Sequence, residues 1–465
     1  MGTAEKQSVG RVRVKRAERR QVEWRPWALD QLLASDHRAR SVWTYVDSLD
    51  LSPLYAEIRA VEGQAGRDAV DPKILMALWM LATIEGISSA RQLDRLCERD
   101  LAYMWICGGV GVNYHLLSDF RKDHGEFLDQ LLTDTIATLI HQGVVTLELV
   151  AQDGMRVRAS AGASSFRREP TLQECHEQAR EQVQRLRDES DDETQHDASN
   201  KRRDAARLRA AQDRQKRVEQ ALEELAKLQQ HKEEQQTGSG AQTRCSTTDP
   251  EARKMKMPDG GYRPAYNVQF GTDGGARVIV SVDVTNSGSD RGQMAPLHDD
   301  IVTRYGHTPQ HYAVDGGFAT KEDITTVEQR GSQILAPIHG EARMRSKGQD
   351  PYARQRRDTD EAFAFRQRMA QPDAKEKYKQ RSSIAEFPNA ECRNRGLQQF
   401  RVRGLQKVKA VALWYALAFN FLRMTHLGCL PQPGQHRLKA KSPPVPAQTA
   451  PSALHQPTPR PRLHR

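Results

Sequence analysis

Two short apolar runs that each end in an aspartate constrain the fold of this chain more than any other feature. Asp153 ends the run Leu-Glu-Leu-Val-Ala-Gln, and Asp315 ends the run His-Tyr-Ala-Val. A third carboxylate, Glu386, lies on a predicted helix. Runs of this length predict buried strands, and a carboxylate at a strand tip is held rigidly where neighbouring strands converge. We therefore expect an α/β domain that brings the acids together.

Three carboxylates on such a frame predict a metal site. Two strand-tip aspartates and one helical glutamate can hold a pair of divalent cations, the arrangement that serves phosphoryl transfer on a nucleic-acid backbone. Hard oxygen ligands favour two Mg²⁺ ions, for which Mn²⁺ would substitute. A lone aspartate at a strand end more often only bonds a turn. The combination predicts Asp153, Asp315 and Glu386 as the catalytic and metal-binding residues.

Basic residues concentrate at the two ends of the chain, whose net charge is +10. After Glu391 there is no acidic residue, although this part holds 13 Lys and Arg residues. Segments that contact phosphates release counterions and bind nucleic acid without reading its sequence. Solvated tails would look the same, but the catalytic prediction independently requires a polyanion. The second basic cluster, near the start, contains Arg11, Arg13, Lys15, Arg16, Arg19 and Arg20.

Cysteine spacing and hydropathy indicate in which cellular compartment the protein lies. The six cysteines form no CxxC pair, which argues against a zinc finger and against a disulfide framework. The basic N-terminus lacks the apolar segment of a signal peptide. The longest apolar stretches, 74–84 and 410–419, are too short to span a bilayer. We expect a soluble intracellular protein.

Shifts in composition divide the chain into predicted segments. Residues 171–234 are rich in Glu, Gln, Arg and Ala and repeat apolar residues at helical spacing, which predicts an antiparallel coiled-coil hairpin. This hairpin is a projecting spacer, or alternatively a dimerisation or DNA-guiding arm. The predicted segments are a basic disordered arm (1–22), a helical N-terminal domain (23–143), a catalytic domain (144–168 and 245–430), the hairpin insertion (169–244) and a disordered Pro-rich basic tail (431–465).

The N-terminal domain is predicted to be all-α. A helix-turn-helix module and an ordinary helical bundle fit its pattern equally. In the first case Arg91 and Arg95, one turn apart, read bases in a major groove while the basic arm grips the backbone or the minor groove. In the second case the two arginines pair with Asp94, Glu98 or another domain and do not contact DNA. The predicted helices begin at Pro72, span Ala90–Arg99, and run from Leu117 to Leu132.

The remaining body alternates strands and helices in the order of the ribonuclease-H-like fold. In that fold the first and fourth strands lie side by side, so Asp153 and Asp315 meet although the helical hairpin separates them in sequence. A charged, mobile stretch is expected over residues 340–375. The predicted elements are strands at 144–158, 266–270, 277–284, 311–314 and 333–338, and helices at 291–305, 321–330, around Glu386, and at 408–422.

On these residues the chain resembles the DDE transposases of bacterial insertion sequences, in the subgroup with a Tyr-Arg-Glu-Lys signature and a helical N-terminal domain. The resemblance covers residues 24 to 427 and is specific only in combination. Its four stretches are Asp71-Pro-Lys-Ile-Leu-Met through Asp119-Phe-Arg, Asp153-Gly-Met-Arg-Val-Arg, Thr248-Asp-Pro-Glu-Ala-Arg with Gly261-Tyr-Arg-Pro-Ala-Tyr, and Tyr378-x-x-Arg381-x4-Glu386-x6-Arg393.

The resemblance implies an enzyme that cleaves and joins DNA at the ends of an insertion sequence by two-metal-ion phosphoryl transfer, with no covalent protein–DNA intermediate. It implies that Tyr378, Arg381 and Arg393 face the DNA backbone near the scissile phosphate. A structural pairing of Arg381 with Glu386 or Glu391 is the alternative. The implied partner is double-stranded DNA, both element end and target, bound by a homodimer. The implied location is the bacterial cytoplasm, at the nucleoid when DNA is bound.

Three points depart from the family pattern or remain open. The signature's last lysine is Arg393 here, which keeps the charge but changes the geometry of a phosphate contact. The insertion has no Trp, Tyr or Phe between Phe166 and Tyr262, so an aromatic clamp for DNA hairpin ends is not expected. Glu391 is the alternative third carboxylate. A domesticated or inactive transposase acting as a DNA-binding regulator, and a coiled-coil adaptor, are the alternative functions.

Overall fold

A computed structural model describes residues 28–60, 68–191, 198–234 and 240–430 of the chain. The predicted basic arm and the predicted Pro-rich tail lie outside the described residues. The described parts form a mixed α/β protein with a helical N-terminal region and a sheet-containing C-terminal region. No helix in these parts is long and apolar enough to cross a bilayer.

The helical region begins at residue 38 and packs around one buried helix. Asp71 accepts a hydrogen bond from the Lys73 amide and so caps helix α3, which is buried on nearly all sides. The prediction of one continuous helix from Leu117 to Leu132 is wrong, because the chain turns at His124 and forms two helices. The helices are α1 (Arg38–Ser48), α2 (Ser52–Ala56), α3 (Pro72–Ile84), α4 (Ala90–Arg99), α5 (Leu101–Cys107), α6 (Tyr114–Asp123) and α7 (Gly125–His141).

The C-terminal region is built on one six-stranded sheet. Strands run in the order β4-β5-β1-β7-β8, and β6 pairs with the far part of β5. β1 is antiparallel to β5 and parallel to β7, which in turn is parallel to β8. The strands are β1 (Leu149–Arg158), β4 (Arg253–Lys256), β5 (Tyr262–Asp273), β6 (Ile279–Thr285), β7 (His311–Ala313) and β8 (Gln333–Leu335), with β2 (Phe166–Arg167) and β3 (Cys245–Ser246) forming a separate ribbon.

Helices cover this sheet and join it to the N-terminal region. The last helix is buried along most of its length, and the indole of its Trp414 donates to the Arg121 carbonyl of α6. Its Asn420 donates to and accepts from the backbone of Ile279 on β6, so one buried side chain locks the helix to the sheet. These helices are α10 (Met294–Tyr305), α11 (Lys321–Gln329), α12 (Glu341–Ser346), α13 (Asp360–Ala370), α14 (Pro372–Lys379), α15 (Phe387–Asn394) and α16 (Leu405–Leu427).

The prediction of a mobile stretch between residues 340 and 375 is wrong. It folds into α12 and α13, and Phe365 and Met369 of α13 are buried in the main core. The Arg368 guanidinium donates to Glu328 of α11 and to the Ile334 carbonyl of β8. These apolar and ionic contacts with the body order a segment whose charged composition suggested otherwise.

The insertion contains two long helices, α8 (Glu169–Asp191) and α9 (Ala198–Glu234). Three side-chain contacts join the two helices, and the residue numbers increase along α8 as they decrease along α9. The pairs are Glu169 with Gln229, His176 with Glu219, and Gln182 with Arg214. This register makes the pair antiparallel. Leu172, Ala221 and Leu225 form a small separate core at its base.

Candidate active site

Asp153 lies inside a strand and not at its tip, which corrects the sequence prediction. β1 continues for five residues beyond it, because β5 pairs with β1 as far as Arg158. The parallel pairing of β1 with β7 stops two residues before it, at Ala151 and Ala313. At Asp153, β1 is therefore still paired with β5 on one side but no longer with β7 on the other. Asp153 lies at the edge of the sheet that this leaves open.

Asp315 follows the neighbouring strand, and like Asp153 it lies two residues past the last register pair of β1 and β7. Ala151 and Ala313 are register partners, so two residues further along each chain lead to the two aspartates. Adjacent strands lie about 4.8 Å apart. The Asp315 side chain is exposed and accepts a hydrogen bond from the Gly316 amide at 2.7 Å. The topology thus places both aspartates at the same edge.

Glu386 ends a single π-helical turn, Ser382–Glu386. A π turn bonds residue i to i+5, so it places Glu386 over Arg381, whereas an α turn would place Ala385 there. The two side chains lie 3.7 Å apart, between Nη1 of Arg381 and Oε1 of Glu386, and Ala385 is buried instead. Glu386 therefore ends a π turn, whereas the sequence predicted a regular helix around it.

Arg381 connects two of the three acids. Its Nη2 donates to Oδ1 of Asp153 at 3.0 Å, while its Nη1 faces Glu386. The residue is only 9 % exposed, and its Nε has no hydrogen-bond partner among the described residues. The predicted alternative of a pairing with Glu386 is thus present, and a bond to Asp153, which the sequence did not suggest, accompanies it.

Asn389 is a site residue that the sequence prediction missed. Its Nδ2 donates to Oδ2 of Asp153 at 2.8 Å, so Arg381 and Asn389 each hold one carboxylate oxygen. Asn389 is 4 % exposed, and its Oδ1 is buried without a partner in the described ranges. A signal existed in the sequence, because Asn389 is a polar residue on the face of α15 that also buries Cys392.

Burial dominates the electrostatics of the site. It raises the pKa of the Asp153 carboxyl above its ordinary value, and the Arg381 charge, the Gly154 amide and Asn389 oppose this. Burial also raises the pKa of the Tyr378 hydroxyl; the charge of Arg381 opposes this, and those of Asp315, Glu386 and Asp153 add to it. Tyr378 therefore lies within the electrostatic reach of all three acids, and it is half-buried at their side.

The other two candidates on α15 differ in environment. Arg393 is half-buried, and its side chain forms no ion pair with a described residue. Glu391 bonds Arg395 at 3.0 Å, and Arg395 also donates to the Ile84 carbonyl of α3 at 2.7 Å. Glu391 is thus part of the contact between α15 and the N-terminal helices, whereas Glu386 faces Arg381, which also bonds Asp153.

The donors present suit a hard divalent cation in their chemistry. Three carboxylates and the unpartnered Oδ1 of Asn389 are oxygen ligands of the kind that Mg²⁺ prefers. Across the ranges that the structure describes, however, no three acidic, His or Cys side chains converge closely enough to form a metal cluster. The Glu386 side chain is 61 % exposed, so its carboxylate can turn without disturbing the core.

The arginines of α4 form the second candidate site. Arg91 and Arg95 are exposed, and neither forms an ion pair within the described chain. The Arg91 guanidinium lies over the Tyr114 ring of α6, 5.0 Å from its centroid. The pairing with Asp94 or Glu98 that a plain bundle would predict is not observed, and both charges face solvent.

Two family models match the chain. One, described as "Transposase DDE domain", matches residues 237–421, and the other, described as "Transposase domain (DUF772)", matches residues 27–123. Together they cover more than half of the chain. Asp315 and Glu386 lie inside the first match, whereas Asp153 lies between the two. No curated protein and no solved structure is significantly similar to the chain.

Proposed function

Because the chain belongs to the DDE transposases typical of bacterial insertion sequences, we propose that it cleaves and joins DNA at the ends of such an element. The family generally uses divalent metal ions. We assign Asp153, Asp315 and Glu386 as the residues that hold them. The observation that carries this assignment is the parallel register of β1 and β7, which brings two aspartates 162 positions apart to one sheet edge.

The sheet topology supports a ribonuclease-H-like catalytic domain. Three antiparallel strands, β6, β5 and β1, are followed by β7 and β8 parallel to β1. The α8–α9 hairpin interrupts the chain between β2 and β3 and leaves the main sheet intact. We propose the division into an N-terminal helical domain, a catalytic domain and a hairpin insertion on this basis, and a homodimer as the form that acts on paired ends.

Bound divalent cations would activate the attacking hydroxyl and stabilise the leaving oxygen. The chain's own side chains position this chemistry. Arg381 and Asn389 fix the Asp153 carboxylate by one hydrogen bond to each oxygen. Tyr378 lies at one side of the three acids. Arg393, which has no ion-pair partner among the described residues, is the cation that would contact a DNA phosphate. Since phosphate contacts carry no sequence information, base reading falls to another part of the chain, and α4 is the candidate.

The test is Mg²⁺-dependent cleavage of a duplex that contains the inverted repeat flanking the coding region. We expect the wild-type chain to nick this duplex and Asp315→Ala to bind it without nicking it. Asp350→Ala, an acidic residue in the loop after α12, is the matched control and should cleave normally. Full cleavage by Asp315→Ala would refute the assignment. DNA binding without cleavage by the wild type would favour the regulator function.

A further inference from the structure

The β4–β5 hairpin presents two lysines and a tyrosine on one face. Lys256 is the register partner of Tyr262, and Lys254 is the partner of Pro264. Opposite residues of an antiparallel pair point to the same side, and side chains alternate along each strand. Lys254, Lys256 and Tyr262 therefore share a face, which we call the hairpin patch. All three are exposed, and Tyr262 is 69 % exposed.

This face is also the face of the catalytic aspartate. Asp153 is the register partner of Phe270, and Phe270 has the same parity along β5 as Tyr262. The hairpin patch and the Asp153 carboxylate thus point to one side of a continuous sheet. At about 3.4 Å per residue, the eight residues from Phe270 to Tyr262 span roughly 27 Å, and the six to Pro264, opposite Lys254, span roughly 20 Å.

No acidic side chain in the described part of the chain pairs with the two lysines of the patch. Neither Lys254 nor Lys256 forms an ion pair with a residue that the structure describes. The Lys254 ammonium lies 5.2 Å from the centroid of the Phe166 ring, which connects the patch to β2. Arg167 and Arg168, next in the chain, are exposed and likewise without an acidic partner in the described ranges. The hairpin patch thus carries two uncompensated lysines and one exposed aromatic ring, and two further exposed arginines follow Phe166 in the chain.

The opposite face of the same hairpin is different. Arg263, the register partner of the buried Met255, donates to Asp259 at 2.5 Å. This ion pair cancels the charge on that side. Among the described residues, the uncompensated charge of the hairpin therefore lies on the side that Asp153 shares.

We propose that the hairpin patch binds the backbone of duplex DNA on one side of the scissile phosphate. The inference rests on the proposed function, because that function places the scissile phosphate at Asp153. DNA rises about 3.4 Å per base pair, so a duplex that lies along β5 meets the patch roughly six to eight base pairs from the cleaved bond. Lysine and tyrosine side chains position a duplex through phosphates and sugars, and they do not read its sequence.

The experiment compares three variants of the full chain on a 40-base-pair duplex with the flanking inverted repeat and on one of arbitrary sequence. Lys254→Gln/Lys256→Gln removes two charges, and Tyr262→Ser removes the ring. Asp259→Asn/Arg263→Gln removes the ion pair from the opposite face and is the control. Dissociation constants are measured across a salt series, hydroxyl-radical footprints are recorded, and melting temperatures verify folding.

We expect the lysine variant to lower the slope of log K against log salt by about 1.8 on both duplexes, as for two lost phosphate contacts. Protection six to eight base pairs from the cleavage position should disappear in this variant and weaken in Tyr262→Ser, while the control matches the wild type. An unchanged slope and footprint, or no DNA binding by the wild type, overturns the proposal. Cleavage is measured separately. A wild type that binds DNA but never cleaves it refutes the proposed function. In that case the salt dependence of binding by the lysine variant still tests whether the hairpin patch contacts DNA.

Discussion

The Nη2 atom of Arg381 lies 3.0 Å from Oδ1 of Asp153, although the two residues are 228 positions apart in the chain. The same guanidinium faces Glu386, so one cation compensates two acids that the proposed reaction requires to be close. A buried carboxylate without such a partner would be costly. Arg381 therefore both holds the site together and occupies the space between its acids.

Arg381→Lys should reduce strand transfer at least tenfold, because a lysine keeps the charge but cannot bond Asp153 and Glu386 through a rigid fork. The melting temperature should fall by only a few degrees. Arg395→Lys is the matched control, since Arg395 bonds Glu391 of α15, and its strand transfer should stay within about twofold of the wild type. Equal losses of strand transfer in both variants would show that Arg381 is a structural residue.

Glu386→Gln and Glu391→Gln should separate the two candidates for the third carboxylate. We expect the first to reduce Mg²⁺-dependent cleavage more than 100-fold, on the order of 3 kcal/mol in activation free energy. The second breaks a contact with Arg395 and should lower the melting temperature slightly with cleavage retained. Single-turnover rates at saturating DNA measure both effects, and the reverse pattern would move the assignment to Glu391.

Asp153→Asn should lower the melting temperature at pH 7.5 by a few degrees. The amide has one acceptor oxygen, so either Arg381 or Asn389 loses its hydrogen bond to this side chain. Burial raises the pKa of Asp153, so its stabilising contribution is present in acid and is lost as the pH rises through the folded pKa, and removal of the buried charge at neutral pH offsets part of the loss. Mg²⁺ or Mn²⁺ should raise the melting temperature of the wild type but not of this variant, because a ligand that binds the folded state stabilises it. Asp283→Asn, whose carboxyl also has a pKa raised by burial, is the control and should keep the cation effect.

The wild type should lose stability in acid through His298 of α10. This side chain is fully buried against Tyr312, and its Nε2 donates to Ser332 Oγ at 2.7 Å, because that hydroxyl already donates to the Pro309 carbonyl. Burial lowers the pKa of His298 to about 4. The unfolded chain binds the proton first, so stability falls as the pH drops from about 6.5 to 4, by roughly 2 kcal/mol at pH 5. Urea midpoints at pH 7 and 5 measure this, and His298→Gln should reduce the difference.

Arg91→Ala/Arg95→Ala should weaken binding to element-end DNA more than binding to scrambled DNA. Both side chains are exposed on α4, and one helical turn separates them, as base reading in a major groove requires. The measurement uses the full chain across a salt series. Arg207→Ala/Arg209→Ala on the insertion removes the same charge and is the control. An equal loss on both DNAs would make α4 a phosphate anchor without sequence preference.

Some helices of this structure could be predicted from the sequence because their ends are set by residues close to them in the chain. The bounds of α4 agree with the prediction residue for residue, since Ser89 caps it and its apolar residues repeat at helical spacing. The start of α3 at Pro72 follows from the Asp-Pro pair in the same way. By contrast, α13 looked mobile because its order comes from contacts with α11 and β8, which local composition does not encode.

The sequence by itself determined the pattern of strands and helices and the identity of the three candidate carboxylates, because apolar periodicity and signature spacing are properties of short segments. Only the tertiary structure decided how those acids are held. The parallel register of β1 and β7 aligns Asp153 with Asp315, and the π turn brings Glu386 to Arg381. Asn389 reaches Asp153 from 236 positions away. Such contacts depend on the packing of distant elements, which no local pattern specifies.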